Sequence, residues 1–209
     1  MIFNQKADIR KRLNISTNRP SKLLMWYLCD IILGRYNRIG TVLDLACGRM
    51  NWRPAFQCSK YIGVDLDVER IRIGKERFPD SEGIVAEIPD DIKNIKADFV
   101  VCLETIGINN KFEKDTLITV EALIQNTAAN GSLLFNIGYD AACMHSEILE
   151  CLIKKFTSVE YYEYGRWSKP FLKPLTPPLA KLMYAFPGYR RPRNKDPTFF
   201  LYHAQASRL

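Results

Sequence analysis

The sequence predicts an α/β domain, a doubly wound sheet of about seven strands, mostly parallel with an antiparallel last strand. Three observations carry that expectation. Five short runs, TVLDLA, YIGVDL, EGIVAEI, ADFVVCLE and SLLFNIG, are almost wholly apolar, as strands covered on both faces are. Helical stretches separate them, as the crossovers of parallel strands require. The last two β-rich runs, SVEYYEYG and TFFLYHAQA, are instead joined by a long Pro-rich segment, which fits antiparallel pairing at an edge.

Along the chain, STNRPSKLLMWYLCDIILGRY reads as a helix. Thr17 or Asn18 can cap it, Pro20 suits the first turn, and Leu23, Leu24, Tyr27, Leu28 and Ile31 recur at helical spacing. After the first strand comes a polar stretch, RMNWRPAFQ. The second strand leads into DVERIRIGKERF, a surface helix for which Asp67 is the best-placed cap. KDTLITVEALIQNTAANG carries Leu117, Val120, Leu123 and Ile124 on one face and is expected to stop at Asn130-Gly131. SEILECLIKKF is a helix with Ser146 as its candidate cap.

A chain of 209 residues, 47% apolar and 25% charged, suits one globular domain over residues 1–209. Within it, residues 1–38 form an N-terminal helical segment and 167–197 a basic Pro-rich insert. The six cysteines show no metal-ligand spacing, and Cys47 and Cys102 lie in stretches that call for small buried residues. With no apolar leader at the start, the expectation is a cytoplasmic protein, at most attached to a membrane surface. Of the net charge of +7, an excess of six lies between Trp167 and Pro197, where seven of the eleven prolines also fall.

The first strand ends TVLDLACG. In an open parallel sheet, ligands bind beyond the carboxyl ends of the strands. Asp44 there can face a ligand cation, and Ala46 and Gly48 let the backbone pass close to it. Asp65 ends the second strand about 20 residues on, placed to accept hydrogen bonds from vicinal ribose hydroxyls. The turn lacks the GxGxxG that seats a pyrophosphate. An acid before a single glycine fits a cationic, phosphate-free nucleoside better.

VLDLACG, YIGVDLD, GIVAEIP and ADFVVCLETI, in that order, resemble the class I S-adenosylmethionine-dependent methyltransferases over about residues 40–165. The resemblance implies a Rossmann-like fold, S-adenosyl-L-methionine as cofactor and methyl transfer as activity. Carried over by position, it puts Asp44, Ala46, Cys47 and Gly48 around the methionine part. Asp65 falls at the ribose, Leu66 beside the adenine, Glu87 or the Ile88 backbone at the adenine amino group, and Leu103 with Glu104 beside the methionine end. The sequence departs from the family pattern at Ala46 and Met50, which replace glycines, and at Glu87, where Asp is commoner. Met50 is expected to crowd the methionine end.

No [ND]-P-P-[YF] run follows the fourth strand and no proline precedes Cys102, which argues against amino-methylating and cytosine-C5 nucleic-acid enzymes. A base is required only for an acceptor that holds its proton at neutral pH. Glu104, Tyr139 and His145 are weak candidates, with Asp140 and Asn136 nearby, and His203 reads as structural. The basic insert reads equally as a functional element, either a substrate lid or a patch for anionic lipid headgroups or an anionic substrate, and as an ordinary hairpin with a solvated rim. The acceptor expected is a small molecule, glycan or lipid-linked compound, anionic if the insert binds it. A noncatalytic cofactor-binding protein and an RNA-modifying methyltransferase are the alternatives.

Overall fold

The computed structural model describes residues 20–92, 95–108, 115–165 and 198–206. The apolar runs become β1 (Ile39–Leu45), β2 (Cys58–Asp65), β3 (Glu82–Val85), β4 (Ala97–Ile106) and β5 (Thr127–Ile137), followed by β6 (Ser158–Gly165) and β7 (Thr198–Gln205). They form one seven-stranded sheet in the order β3-β2-β1-β4-β5-β7-β6. Strands β1 to β5 pair parallel, and β7 runs antiparallel to both β5 and β6. The expected mostly parallel sheet with an antiparallel last strand is therefore present. That strand lies inside the sheet, however, and β6 forms the edge. The chain winds outward from β1 through β2 to β3, then returns to place β4 on the other side of β1. The switch point between β1 and β4 is where such sheets open a crevice.

Period-two alternation sends successive residues to opposite faces. Val42 of β1 with Phe99, Val101 and Leu103 of β4 meet α1 (Pro20–Leu33) and α2 (Val68–Arg77) on one face. Leu43, Leu45, Val100 and Cys102 meet α3 (Thr116–Asn126) and α4 (His145–Ile153) on the other. Burying each such aliphatic side chain contributes about 1.5–3 kcal/mol, so the doubly covered strands carry the stability of the domain. All six cysteines are free, with Cys47 and Cys102 buried as expected. Among the described residues no helix is long and apolar enough to cross a membrane.

Local boundaries differ from expectation in three places. First, α3 stops at Asn126, and TAAN opens β5 rather than ending the helix. The carbonyls freed at that helix end find other donors. The Asn126 side chain donates to Ala122 O, Thr127 Oγ1 to Leu123 O, and the Lys96 and Lys155 ammoniums to Gln125 O and Ile124 O. Cations at a helix C-terminus also complement its dipole, so no glycine stop is needed. Second, Ser146 lies inside the first turn of α4 and does not cap it. Third, RMNWRPAFQ is only superficially polar: Met50, Trp52, Ala55 and Phe56 are buried, and the segment folds as turns with one short 3-10 helix. Asp67 caps α2 as expected, accepting from the backbone N–H groups of Glu69 and Arg70. The caps expected from Thr17 or Asn18 and the insert 167–197 lie outside the described residues.

Candidate functional site

Beyond the carboxyl ends of β3, β2, β1 and β4 lies a cavity of about 520 Å³, within the range of small-molecule sites. Its walls follow the strand order. Ala86, Glu87 and Ile88 stand after β3, Asp65 and Leu66 at the end of β2, Ala46, Cys47 and Gly48 after β1, and Leu103, Glu104 and Thr105 at the end of β4. Four adjacent strand ends at about 4.8 Å spacing span roughly 14 Å. An outstretched nucleoside amino acid could lie across them.

The turn after β1 is made by backbone in the left-handed region, with φ of 57° at Ala46, 56° at Gly48 and 55° at Met50. Left-handed Ala and Met each cost roughly 1 kcal/mol or more, so the surroundings must hold them there. Asp65 does part of this. Its Oδ2 accepts the Gly48 N–H at 2.7 Å and its Oδ1 accepts the Asp67 N–H at 3.0 Å. The carboxylate is thereby fixed on the cavity wall, and each oxygen retains capacity for a further donor.

Met50 overturns one expectation. It does not crowd the cavity but is fully buried beneath the turn. Its side chain fills a slot made by three glycines: a Cβ on Gly63, Gly74 or Gly83 would come within 2.8–3.1 Å of Met50 atoms. The left-handed backbone at position 50 turns this long side chain down between α2 and the sheet, where missing side chains on three elements leave room for it.

Asp44 is the second correction. Its carboxylate is 1% exposed, accepts the Tyr61 hydroxyl and does not line the cavity. Alternation along β1 sends it to the α1 face. Cys47 and Met50 pack there over Gly63, its register partner on β2, and shut it off from the opening. Burial raises its pKa to about 7 against the pull of the Tyr61 hydrogen bond. Burial likewise pushes the Cys47 thiol upward, helped by the charges of Asp44 and Asp65. Of the residues assigned by position to the cofactor, Ala46, Cys47, Gly48, Asp65, Leu66, Glu87, Ile88 and Leu103 share the cavity and Asp44 does not.

At the other end, Glu104 also adopts a left-handed backbone, with φ 62°. Its N–H donates to Oδ1 of Asn136 at 2.7 Å, and Asn136 is 1% exposed at the end of β5. A buried amide on one strand thus holds the backbone of Glu104 at the end of the neighbouring strand. The backbones beyond these strands then meet: Gly138 N–H donates to Ile106 O, and a Cβ on Gly138 would strike Gly107 O. Only glycine permits that approach.

His145 does not reach the cavity. It stacks on Phe200 at 4.1 Å, its Nδ1 lies 2.7 Å from the Tyr202 hydroxyl, and burial lowers its pKa. His203 is structural, as expected, with its Nε2 2.8 Å from the Tyr36 hydroxyl and its pKa lowered to about 4 by burial. At 4.0 Å from Glu160, a neutral imidazole makes no ion pair. Tyr139 and Asp140 open a 3-10 helix, and their side chains lie outside the described residues.

The sequence reading missed Asn51, Trp52, Arg70, Ala86 and Thr105, which also line the cavity. Trp52 was masked by its polar neighbours. Arg70 looked like a solvated helix residue, and it does pair with Asp67 at 3.2 Å. Among the described lining residues three carboxylates face this one guanidinium. No group of His, Cys, Asp or Glu among the described residues could hold a metal ion.

No family model matches the chain, and no curated protein does. Solved structures match its fold. The N-methyltransferase NodS from Bradyrhizobium japonicum, in complex with S-adenosyl-L-homocysteine, superposes with a TM-score of 0.57 at 14% identity over 94% of this chain and 95% of that one. The plantazolicin methyltransferase BpumL, also in complex with S-adenosyl-L-homocysteine, gives 0.55 at 11% identity over 95% and 89%. A TehB-like S-adenosylmethionine-dependent methyltransferase from Corynebacterium glutamicum gives 0.51 at 15% over 90% and 87%. The chain has the Rossmann-like fold of the class I S-adenosylmethionine-dependent methyltransferases.

Proposed function

We propose that the protein is an S-adenosyl-L-methionine-dependent methyltransferase acting on a small-molecule, glycan or lipid-linked acceptor. The observation that carries this is the Asp65 carboxylate, 8% exposed, pinned by two backbone N–H groups and facing a cavity that runs from β3 to β4. The cavity residues fit the cofactor. Asp65 can take the two ribose hydroxyls, each charge-assisted bond contributing about 1.5–3 kcal/mol. Leu66 and Ile88 offer apolar surface to an adenine, and Glu87 stands where its amino group would reach. Gly48, left-handed with no atom within 4 Å of its missing Cβ, leaves open space beside the amino-acid end. The Asp65 and Glu87 carboxylates on the wall suit a ligand with a sulfonium and disfavour one with a pyrophosphate. Solved structures of the same fold in complex with S-adenosyl-L-homocysteine add support.

Bound there, the cofactor supplies an already activated methyl group, so the chain's own work is alignment and exclusion of water. Asp65 and the β1 turn hold the nucleoside, while Leu103, Glu104 and Thr105 shape the end at which an acceptor would approach. His145, outside the cavity and turned to Tyr202, does not serve as base in this reading. The test is calorimetry with S-adenosyl-L-homocysteine, followed by transfer of tritiated methyl to a metabolite extract. Micromolar binding and labelled product are expected. Binding with no transfer to any fraction would identify a noncatalytic binding protein, and label only in RNA would identify an RNA-modifying enzyme.

A further inference from the structure

We infer that Asn51, oriented by Arg77, binds the carboxylate of the cofactor's amino-acid end; this rests on the cofactor reading above. A carboxylate needs hydrogen-bond donors, and the turn after β1 has already committed several. The N–H groups of Cys47, Gly48 and Met50 donate to Val64 O, Asp65 Oδ2 and Cys47 O. Among the described lining residues, Cys47, Asn51, Trp52, Arg70 and Thr105 carry side-chain donors. The Cys47 thiol turns to Gly48 O at 3.6 Å, Thr105 Oγ1 donates to Leu103 O at 3.2 Å, and Arg70 pairs with Asp67. Asn51 and Trp52 remain, both directly after the turn that would carry the amino-acid end.

Asn51 is set in one orientation by α2. Arg77, the last residue of that helix, donates from Nη1 to Asn51 Oδ1 at 3.0 Å and to Arg49 O at 3.1 Å. The guanidinium is itself held, lying over the Phe78 ring at 5.1 Å from its centroid. A guanidinium only donates, so the amide oxygen of Asn51 must face Arg77 and its NH2 must face away. No acceptor among the described residues takes that NH2, and Asn51 lines the cavity. The Arg77 charge behind the oxygen polarises the amide, which strengthens its N–H groups as donors. Together they make a subsite for an anion on a wall otherwise supplied with carboxylates, and it would separate an amino-acid nucleoside from one without the carboxylate.

The test is calorimetry on the full chain with two ligands: S-adenosyl-L-homocysteine and its decarboxylated counterpart, which keeps the amino group and lacks only the carboxylate. Wild type should prefer S-adenosyl-L-homocysteine by about ten- to a hundredfold. Asn51→Ala, a change at an exposed side chain, should lose most of that preference while keeping the decarboxylated ligand within about threefold. Arg77→Leu should lower the preference in the same direction. The double variant should lose no more of it than Asn51→Ala alone, because Arg77 acts through Asn51. No preference in wild type, an unchanged preference in Asn51→Ala, or equal weakening of both ligands would overturn the inference. Losses that add in the double variant would overturn the part given to Arg77. If wild type binds neither nucleoside, the cofactor reading has failed instead.

Discussion

The two halves of the sheet treat their polar groups differently. In the antiparallel half, β5-β7-β6, polar side chains on the α1 face close on one another. Arg35 pairs with Glu160 at 2.8 Å, the Tyr36 hydroxyl meets Ser132, His203 and Gln205, and Tyr162 donates to Glu160. In the parallel half, Asp65, Glu87 and Glu104 face a cavity. All five left-handed residues among those described lie after β1 or at the end of β4. Backbone strain persists only where surrounding structure holds it, and it collects at functional sites. One half closes its polar groups on one another, while the other lines a cavity with them.

Breaking the Asp65 wall should have the largest effect. Asp65→Ala should weaken S-adenosyl-L-homocysteine by at least about a hundredfold, since two charge-assisted bonds go and Gly48 loses its anchor. Calorimetry beside Asp65→Asn, which keeps an acceptor oxygen, separates the two contributions. Equal affinity in wild type and Asp65→Ala would remove the contrast between the halves.

Next is the floor of the turn. Met50→Ala should cost about 2–5 kcal/mol in urea unfolding, because the slot between Gly63, Gly74 and Gly83 would be left empty. A loss under about 1 kcal/mol would show that the slot collapses.

Asp44 and His203, one buried group from each half, oppose one another in pH. The unfolded Asp44 gives up its proton near 4, whereas the folded one keeps it to about 7. Its contribution to stability therefore falls as pH rises from about 4 to 7. His203 is protonated near 6.5 when unfolded but only near 4 when folded, so its contribution falls as pH drops from about 6.5 to 4. Asp44→Asn should make stability rise with pH across that window, and His203→Gln should make it fall. Each tilt should be on the order of 2–4 kcal/mol by thermal unfolding. Parallel curves for wild type and both variants would contradict the burial of these groups.

The smallest change expected is at the rim. Leu66 is 67% exposed, so Leu66→Ala should leave stability within about 0.5 kcal/mol. It should still weaken S-adenosyl-L-homocysteine about three- to tenfold, the share of one apolar contact with a base.

The sequence by itself determined the architecture. Buried parallel strands must be apolar on both faces, and that pattern is local, so β1 to β5, the antiparallel end and the Asp67 cap were legible without tertiary information. Position along the strands likewise put Ala46, Gly48 and Asp65 on the cavity wall, because parallel strands deliver their carboxyl ends to one rim, and the family resemblance added Cys47, Leu66, Glu87, Ile88 and Leu103. Only the tertiary structure decided which way a side chain turns once the strand ends. Asp44 and Asp65 look equivalent in the sequence, yet alternation and the packing of Cys47 and Met50 close off one and leave the other facing the cavity. Met50 looked obstructive because the glycines that receive it lie 13, 24 and 33 residues away in the chain. The end of α3 followed the same rule, since the lysines that satisfy its last carbonyls come from distant segments. Sequence patterns report which groups must be buried, and contacts across the chain decide against what.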